Sequence, residues 1–249
     1  MTPCFFPKLE NKEKTIHKMA KSSTFYLRKI HRFLGVSIGI QILFWTISGL
    51  YFTWTNIDEI HGDQFLNEHA HMNHKQIQSD SINFPDSLGA ISSLQLRFIL
   101  NQSYFWINDS ILVNANTGEI KSELSKEEAI AIAKEHIKPE FEVDEILFLE
   151  EVGAHHEYRE RPLPAWEIRF KGLDNLSAYV SIKDGSFQRV RHSSWRIFDF
   201  LWMTHTMDYK TRDNFNHWVI RGFSFLGLIT VLSGFVLFWF TRKRKTSNL

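Results

Sequence analysis

Three histidines stand where their chemistry would count. His31 opens the apolar stretch "RFLGVSIGIQILFWTISGLYFTW"; His205 closes "SSWRIFDFLWMTHTM"; His217 precedes a second apolar stretch, "VIRGFSFLGLITVLSGFVLFWF". A neutral imidazole can ligate a haem iron. Ionisable side chains at membrane depth tend to be functional. Below His31, residues Gly35, Gly39, Ile42, Thr46 and Gly49 form one helical stripe of mostly small side chains, room for a flat macrocycle or for a second helix. The bland alternative is packing alone, with His31 among headgroups beside Arg28 and Arg32. His205 shares a stripe with Trp195, Phe198 and Trp202, as an interfacial helix with aromatic anchors would. The turn-like "DYKTRDN" between His205 and His217 allows the two to meet. Both rings could equally serve only as interfacial hydrogen-bonding groups.

A second cluster, "EHAHMNH", offers His69, His71, Met72 and His74, donors suited to copper, zinc or nickel. In a polar linker such clusters are often adventitious. His155 and His156 occur in "AHHEYRERP", which lacks the second histidine of a zinc-protease helix. No phosphate-binding loop or dinucleotide fingerprint is present. One cysteine, Cys4, excludes a C-x-x-C-H haem attachment and a thiolate zinc cluster.

The elements that must position these residues are two membrane spans around an outer domain. The chain has 249 residues with 29 Lys plus Arg against 28 Asp plus Glu, a balance that gives no footprint for nucleic acid. Both apolar stretches reach the roughly 20 residues that a bilayer core requires. The first is longer than the h-region of a signal peptide and has no small-x-small cleavage site after Trp54, so it is expected to be a retained anchor. Basic residues from Lys8 to Arg32 precede the first span, and Arg242, Lys243, Arg244 and Lys245 follow the second. The positive-inside rule then puts both termini in the cytoplasm and the middle outside, a multi-pass protein of a bacterial inner membrane with a periplasmic domain.

The expected segments are a basic tail over 1–29, a first transmembrane helix over 30–55, a linker over 56–93 and an outer domain over 94–192. An interfacial amphipathic helix over 194–209, a second transmembrane helix over 217–240 and a basic tail over 241–249 follow. In the outer domain, strand-like runs "LQLRFIL", "YFWIN" and "ILVNA" lead into the turn "NTGE". Ser125 and Glu128 form a capping box ahead of "AIAIAKEHI", and Pro139 stops that helix. Next come "EILFLEE", the alternating "AWEIRF", "AYVSI", an Asp184-Gly185 hairpin and "FQRVR". The fold class is membrane α+β, a helix packed on antiparallel sheet between two antiparallel spans.

A helix led by "SKEEAIAIAKEHI", then strands ending in "AYVSIKDGSFQRV", resembles the PepSY domain, and "ILVNANTGEI" looks like the end of a degenerate first copy. The spans resemble each other too. "TISGLYFTW" aligns with "TVLSGFVLFWF", and His31 before Gly35 matches His217 before Gly222, so the two form an inverted repeat. With the outer domain between them, these features resemble the PepSY-associated transmembrane family, which includes iron-regulated proteins and ferric-siderophore reductases. The resemblance implies haem b, with His31 at an inner site and His205 with His217 at an outer one. It also implies electron relay from a quinol or reductase toward a ferric siderophore. Reductases of that family have four spans and this chain has two, so a homodimer in the lipid bilayer is expected. The rival expectations are a cofactor-free binding or regulatory module and a metal-handling accessory centred on His69, His71 and His74.

Overall fold

The computed structural model describes residues 8–67, 84, 88–172, 174–212 and 214–246, with the backbone alone over 8–24 and 241–246. The chain divides into a helical unit, residues 1–51 with 202–249, and a sheet unit, residues 52–201.

In the helical unit α1 (Lys8–Trp54) runs 47 residues without a break, and α5 (Trp218–Thr246) runs 29. Neither contains a proline, and their spans Phe25–Trp54 and Trp218–Phe240 are long and apolar enough to cross a bilayer. Their large apolar side chains point outward: Phe33, Val36, Phe225 and Phe235 are all exposed. Gln41, Ser48 and Thr230 are buried instead. Small polar groups inside with phenylalanine and valine outside is the arrangement that lipid favours, because lipid gives apolar side chains no reason to hide. Between these helices α4 (Ser193–Thr206) starts in the sheet unit and ends in the helical one.

The sheet unit holds two four-stranded antiparallel sheets in sequential strand order. The first contains β1 (Leu94–Ile99), β2 (Gln102–Ile107), β3 (Ile111–Asn114) and β4 (Ile120–Lys121). The second contains β5 (Val143–Leu149), β6 (Ala165–Phe170), β7 (Ser177–Ser181) and β8 (Phe187–Arg191). Helix α3 (Lys126–His136) connects them and packs on β6, β7 and β8. Its N-terminus carries the expected capping box, with Ser125 and Glu128 satisfying each other's backbone amides. Ala129, Ile132 and Ala133 face a core shared with Tyr104, Trp106 and Leu112 of the first sheet and Ile168, Ala178 and Val180 of the second.

The stretch "ILVNANTGEI", read as the end of a degenerate copy, closes a full four-stranded sheet. Its closing strand β4 is only two residues long, too short to show alternation, and β2 is buried on both faces from Ser103 to Ile107, so its period of two is hidden. The closing hairpins of the two sheets repeat each other at one offset. The Asn114 amide donates to the Glu119 carbonyl (2.8 Å) and the Gly118 amide to the Asn114 carbonyl (2.9 Å); Ser181, Ser186 and Gly185 make the same bonds at 3.0 and 3.1 Å. At that same offset Lys126 starts α3 and Ser193 starts α4. Gly185 also lies against the first sheet. A Cβ there would stand 2.7 Å from Ile99 Cδ1, and its φ of +65° is one that a side chain disfavours.

Ahead of the sheets, α2 (Ile57–His61) begins at an Asn56 side-chain cap and ends at Gly62 with φ +95°. A single 3₁₀ turn, Asp63–Phe65, follows. Leu66 then pairs with Ile137, and the Asn67 amide donates to the His136 carbonyl at 2.8 Å, which ties this segment to the end of α3.

Candidate functional site

The helical unit contains two imidazole–serine pairs, each joining one helix to another. His31 Nδ1 on α1 lies 2.7 Å from Ser233 Oγ on α5. His205 Nδ1 on α4 lies 2.7 Å from Ser48 Oγ on α1. A hydroxyl has one proton to give. Ser233 gives its proton to the Thr230 carbonyl (2.8 Å), and Ser48 gives its own to the Phe44 carbonyl (2.7 Å), both within the same helix. Toward the imidazoles the serine oxygens can then only accept. Both histidines are assigned by this network as Nδ1–H tautomers, with the lone pair on Nε2.

The helices supply the rest of the geometry. Ser48 and Ser233 are the serines of the Ser-Gly pairs seen in the sequence, and the neighbouring glycine matters at one of them. A Cβ on Gly234 would stand 3.3 Å from His31 Cε1, a tight contact that the glycine spares the ring. Gly35, Gly39 and Gly49 of the small stripe face open space: a Cβ on any of them would meet nothing within 4 Å among the described residues. The two pairs sit at opposite ends of the first span. At a rise of 1.5 Å per residue, His31 and Ser48 are separated by about 25 Å along α1.

His205 is held by its backbone as well as its ring. Helix α4 ends at Thr206, which leaves its last carbonyls without helical donors. Gln41 Nε2 donates to the Thr204 carbonyl (3.1 Å), Trp45 Nε1 to the His205 carbonyl (2.7 Å) and His217 Nε2 to the Thr206 carbonyl (3.0 Å). Three side chains thus cap one helix end. Just beyond, Asp208 organises the turn to α5 by accepting from the amides of Lys210, Thr211 and Asn214 at 3.0 to 3.2 Å and from the Thr211 hydroxyl. Burial works to raise the Asp208 carboxyl, but these hydrogen bonds outweigh it and hold the group well below the usual carboxylate range.

The inverted repeat matches His31 with His217 by position in the sequence; the side-chain contacts match His31 with another histidine. The structural counterpart of His31 is His205, because each meets the Ser-Gly pair of another helix through Nδ1. His217 does stand one residue before α5, but its Nε2 is committed to a carbonyl, so its lone pair lies on Nδ1. His217 reaches the end of the helix that carries His205 by way of the Thr206 carbonyl. His69, His71 and His74 lie outside the described residues. Among the described residues no group of three or more His, Cys, Asp or Glu could hold a metal ion. His156 accepts the Tyr158 amide at 3.1 Å and shapes a turn.

Sequence reasoning missed the roles of Ser48, Ser233, Gln41 and Trp45. A signal was present: between Phe33 and Trp54 Gln41 is the one strongly polar side chain, and the Ser-Gly pair recurs in both spans. No curated protein and no solved structure matches the chain. The model of the family described as the PepSY-associated TM region does match, over residues 6–243, and with two apolar helices flanking antiparallel sheets the chain belongs to that family of membrane proteins.

Proposed function

We propose that the protein is an inner-membrane electron relay carrying b-type haem, with His31 holding an inner haem and His205 an outer one. The observation that supports the reading is tautomeric. An imidazole that ligates iron through Nε2 is normally oriented by donating its Nδ1–H to a neighbour, which fixes the ring and raises its basicity. His31 and His205 both have that state, each oriented by a serine whose own proton is used elsewhere. The open faces of Gly35, Gly39 and Gly49 leave room beside α1 for a flat ring. When bound, haem supplies one-electron chemistry at a potential set by its ligands and surroundings.

The chain's own residues supply position. Ser233 and Gly234 seat His31 against α5; Ser48, Trp45 and Gln41 seat the end of α4 that carries His205, and His217 braces the same end. With about 25 Å between the two pairs, one haem near each face divides an otherwise long electron jump across the bilayer. In this reading both termini are cytoplasmic, the sheet unit is periplasmic, and the chain works as a homodimer whose second copy completes the inner site across a two-fold axis. Electrons enter from a quinol or a partner reductase and leave toward a ferric chelate.

An absorption spectrum of protein purified in detergent from haem-fed cells tests the reading. The expected result is a Soret band and split visible bands on reduction, weakened by His31→Ala or His205→Ala alone and abolished by both together. A colourless preparation overturns it and leaves a cofactor-free, membrane-anchored binding module as the function. Bands that persist in the double variant overturn the ligand assignment.

A further inference from the structure

Away from the helices, the sheet unit has a cavity of about 590 Å³, bounded by the segment after α2, the end of α3 and strand β8. That volume is typical of small-molecule sites. Three guanidinium groups line it, those of Arg161, Arg189 and Arg191, against one carboxylate, Asp63. Two of the three are notable for what they lack. The Nε of Arg189 is buried with no acceptor. Arg191 is only 6% exposed; its Nε donates to the Glu157 carbonyl (3.2 Å), its Nη1 to the Val190 carbonyl (3.0 Å), and its Cζ lies over the Trp195 ring, 3.8 Å from the centroid. Among the described residues no carboxylate pairs directly with Arg161, Arg189 or Arg191. Burial pulls Arg191 down to about 10, which leaves it protonated at neutral pH.

Buried guanidinium groups without acceptors are costly unless something supplies the missing charge. Here Arg191 is buried without a carboxylate, the half-buried Arg189 keeps a buried Nε without an acceptor, and the exposed Arg161 adds a third positive group; Arg189 and Arg191 are alternate residues of β8, and Trp195 and the carbonyls hold Arg191 in place. A guanidinium fork matches a planar carboxylate, which it binds in a bidentate manner. The walls also include Phe187, Val190 and Trp195, apolar surface that suits a carbon skeleton better than an inorganic ion. Three positive groups and one negative leave an excess that a ligand with two or more charges would neutralise.

We propose that this cavity binds a small organic polycarboxylate, with Arg161, Arg189 and Arg191 as its carboxylate receptors. The first sheet provides an internal contrast. At the constant offset, Arg189 corresponds to Ser122 and Arg191 to Leu124, so the repeated fold carries this chemistry in its second copy only.

Calorimetric titration of the full-length protein in detergent with citrate, at fixed ionic strength, tests the proposal. Expected is saturable binding with a Kd below about 1 mM, and at least about tenfold weaker binding of inorganic phosphate and of acetate. Arg161→Gln and Arg189→Gln should each weaken citrate by about tenfold or more. Arg161 is exposed, so its variant should keep the wild-type unfolding temperature and remain a fair test if Arg189→Gln folds poorly. No saturable citrate binding, equal binding of phosphate, or wild-type affinity in Arg161→Gln would each overturn the proposal. The result does not depend on haem: a colourless preparation that binds citrate would sink the electron-relay reading and leave this one standing.

Discussion

Among the described residues of the helical unit, side chains join helix to helix by reaching uncharged partners: imidazole to hydroxyl at His31 and His205, amide to carbonyl at Gln41, indole to carbonyl at Trp45. In the sheet unit, the face of the second sheet turned from the shared core is held by charges. Glu157 accepts from Arg196 at 2.7 and 2.8 Å and from the Tyr179 hydroxyl at 2.6 Å, and Arg159 pairs with Asp199 at 2.8 Å. The difference follows from what surrounds each unit. A charge moved to the centre of a bilayer costs several kcal/mol, whereas a neutral hydrogen bond gains little there because the separated helices find other partners. Where water is near, ion pairs can be half-buried at modest cost and give directional grip. Neutral pairs in one unit and charged pairs in the other should therefore respond differently to mutation and to acid.

The largest effect is expected from Glu157→Ala. It strands Arg196 and the buried Tyr179 hydroxyl together, and thermal unfolding of the sheet unit should lose about 2 to 3 kcal/mol. A loss no greater than that of the helix variants below would remove the contrast. Acid should separate the two units next. Burial works to raise the Glu157 carboxyl, but the hydrogen bonds from Arg196 and Tyr179 outweigh it and hold it below its ordinary value. Its stabilising share is fully present above the unfolded value of about 4.3 and is lost as pH falls through the lower folded value. Unfolding followed from about pH 7 downward should show the sheet unit weakening in that acid window.

Smaller again is Ser48→Ala, which removes the acceptor of His205 Nδ1–H. Measured hydrogen bonds between membrane helices average about 0.6 kcal/mol with a maximum near 1.7, and the full burial of Ser48 puts this variant toward the upper end. If haem is present, the same change should also shift its reduction potential, a readout that simple packing would not move. Gln41→Leu should be smallest, about 0.6 kcal/mol by denaturant titration in detergent. A Gln41 variant as damaging as Glu157→Ala would show that the helical unit relies on its polar bonds far more than their neutrality suggests.

Much of this architecture was legible in the residues. Both spans announce themselves by length and apolarity, α3 by its capping box and Pro139, and β6 by the alternation of Trp166, Ile168 and Phe170. Three strands of the first sheet were legible as "LQLRFIL", "YFWIN" and "ILVNA"; its last strand, two residues long, was too short to show a pattern. The candidate site was half legible. Histidines in apolar surroundings draw attention, and the Ser-Gly repeat aligned the two spans. Which histidine meets which serine depends on how three helices cross, and no spacing within one helix records that. The arginines of β8 were read merely as strand residues, because their convergence with Arg161 and Trp195 depends on a loop, a strand and a helix meeting in space.

The repeated hairpins carry one further consequence. The segments 118–124 and 185–191 share a turn with the same backbone bonds and lead into helices at the same offset, but they differ in chemistry. Grafting "GEIKSEL" in place of "GSFQRVR" would keep the scaffold's turn while erasing two of the three guanidinium groups. The molecule thus contains its own blank, a ligand-free template drawn from its first half.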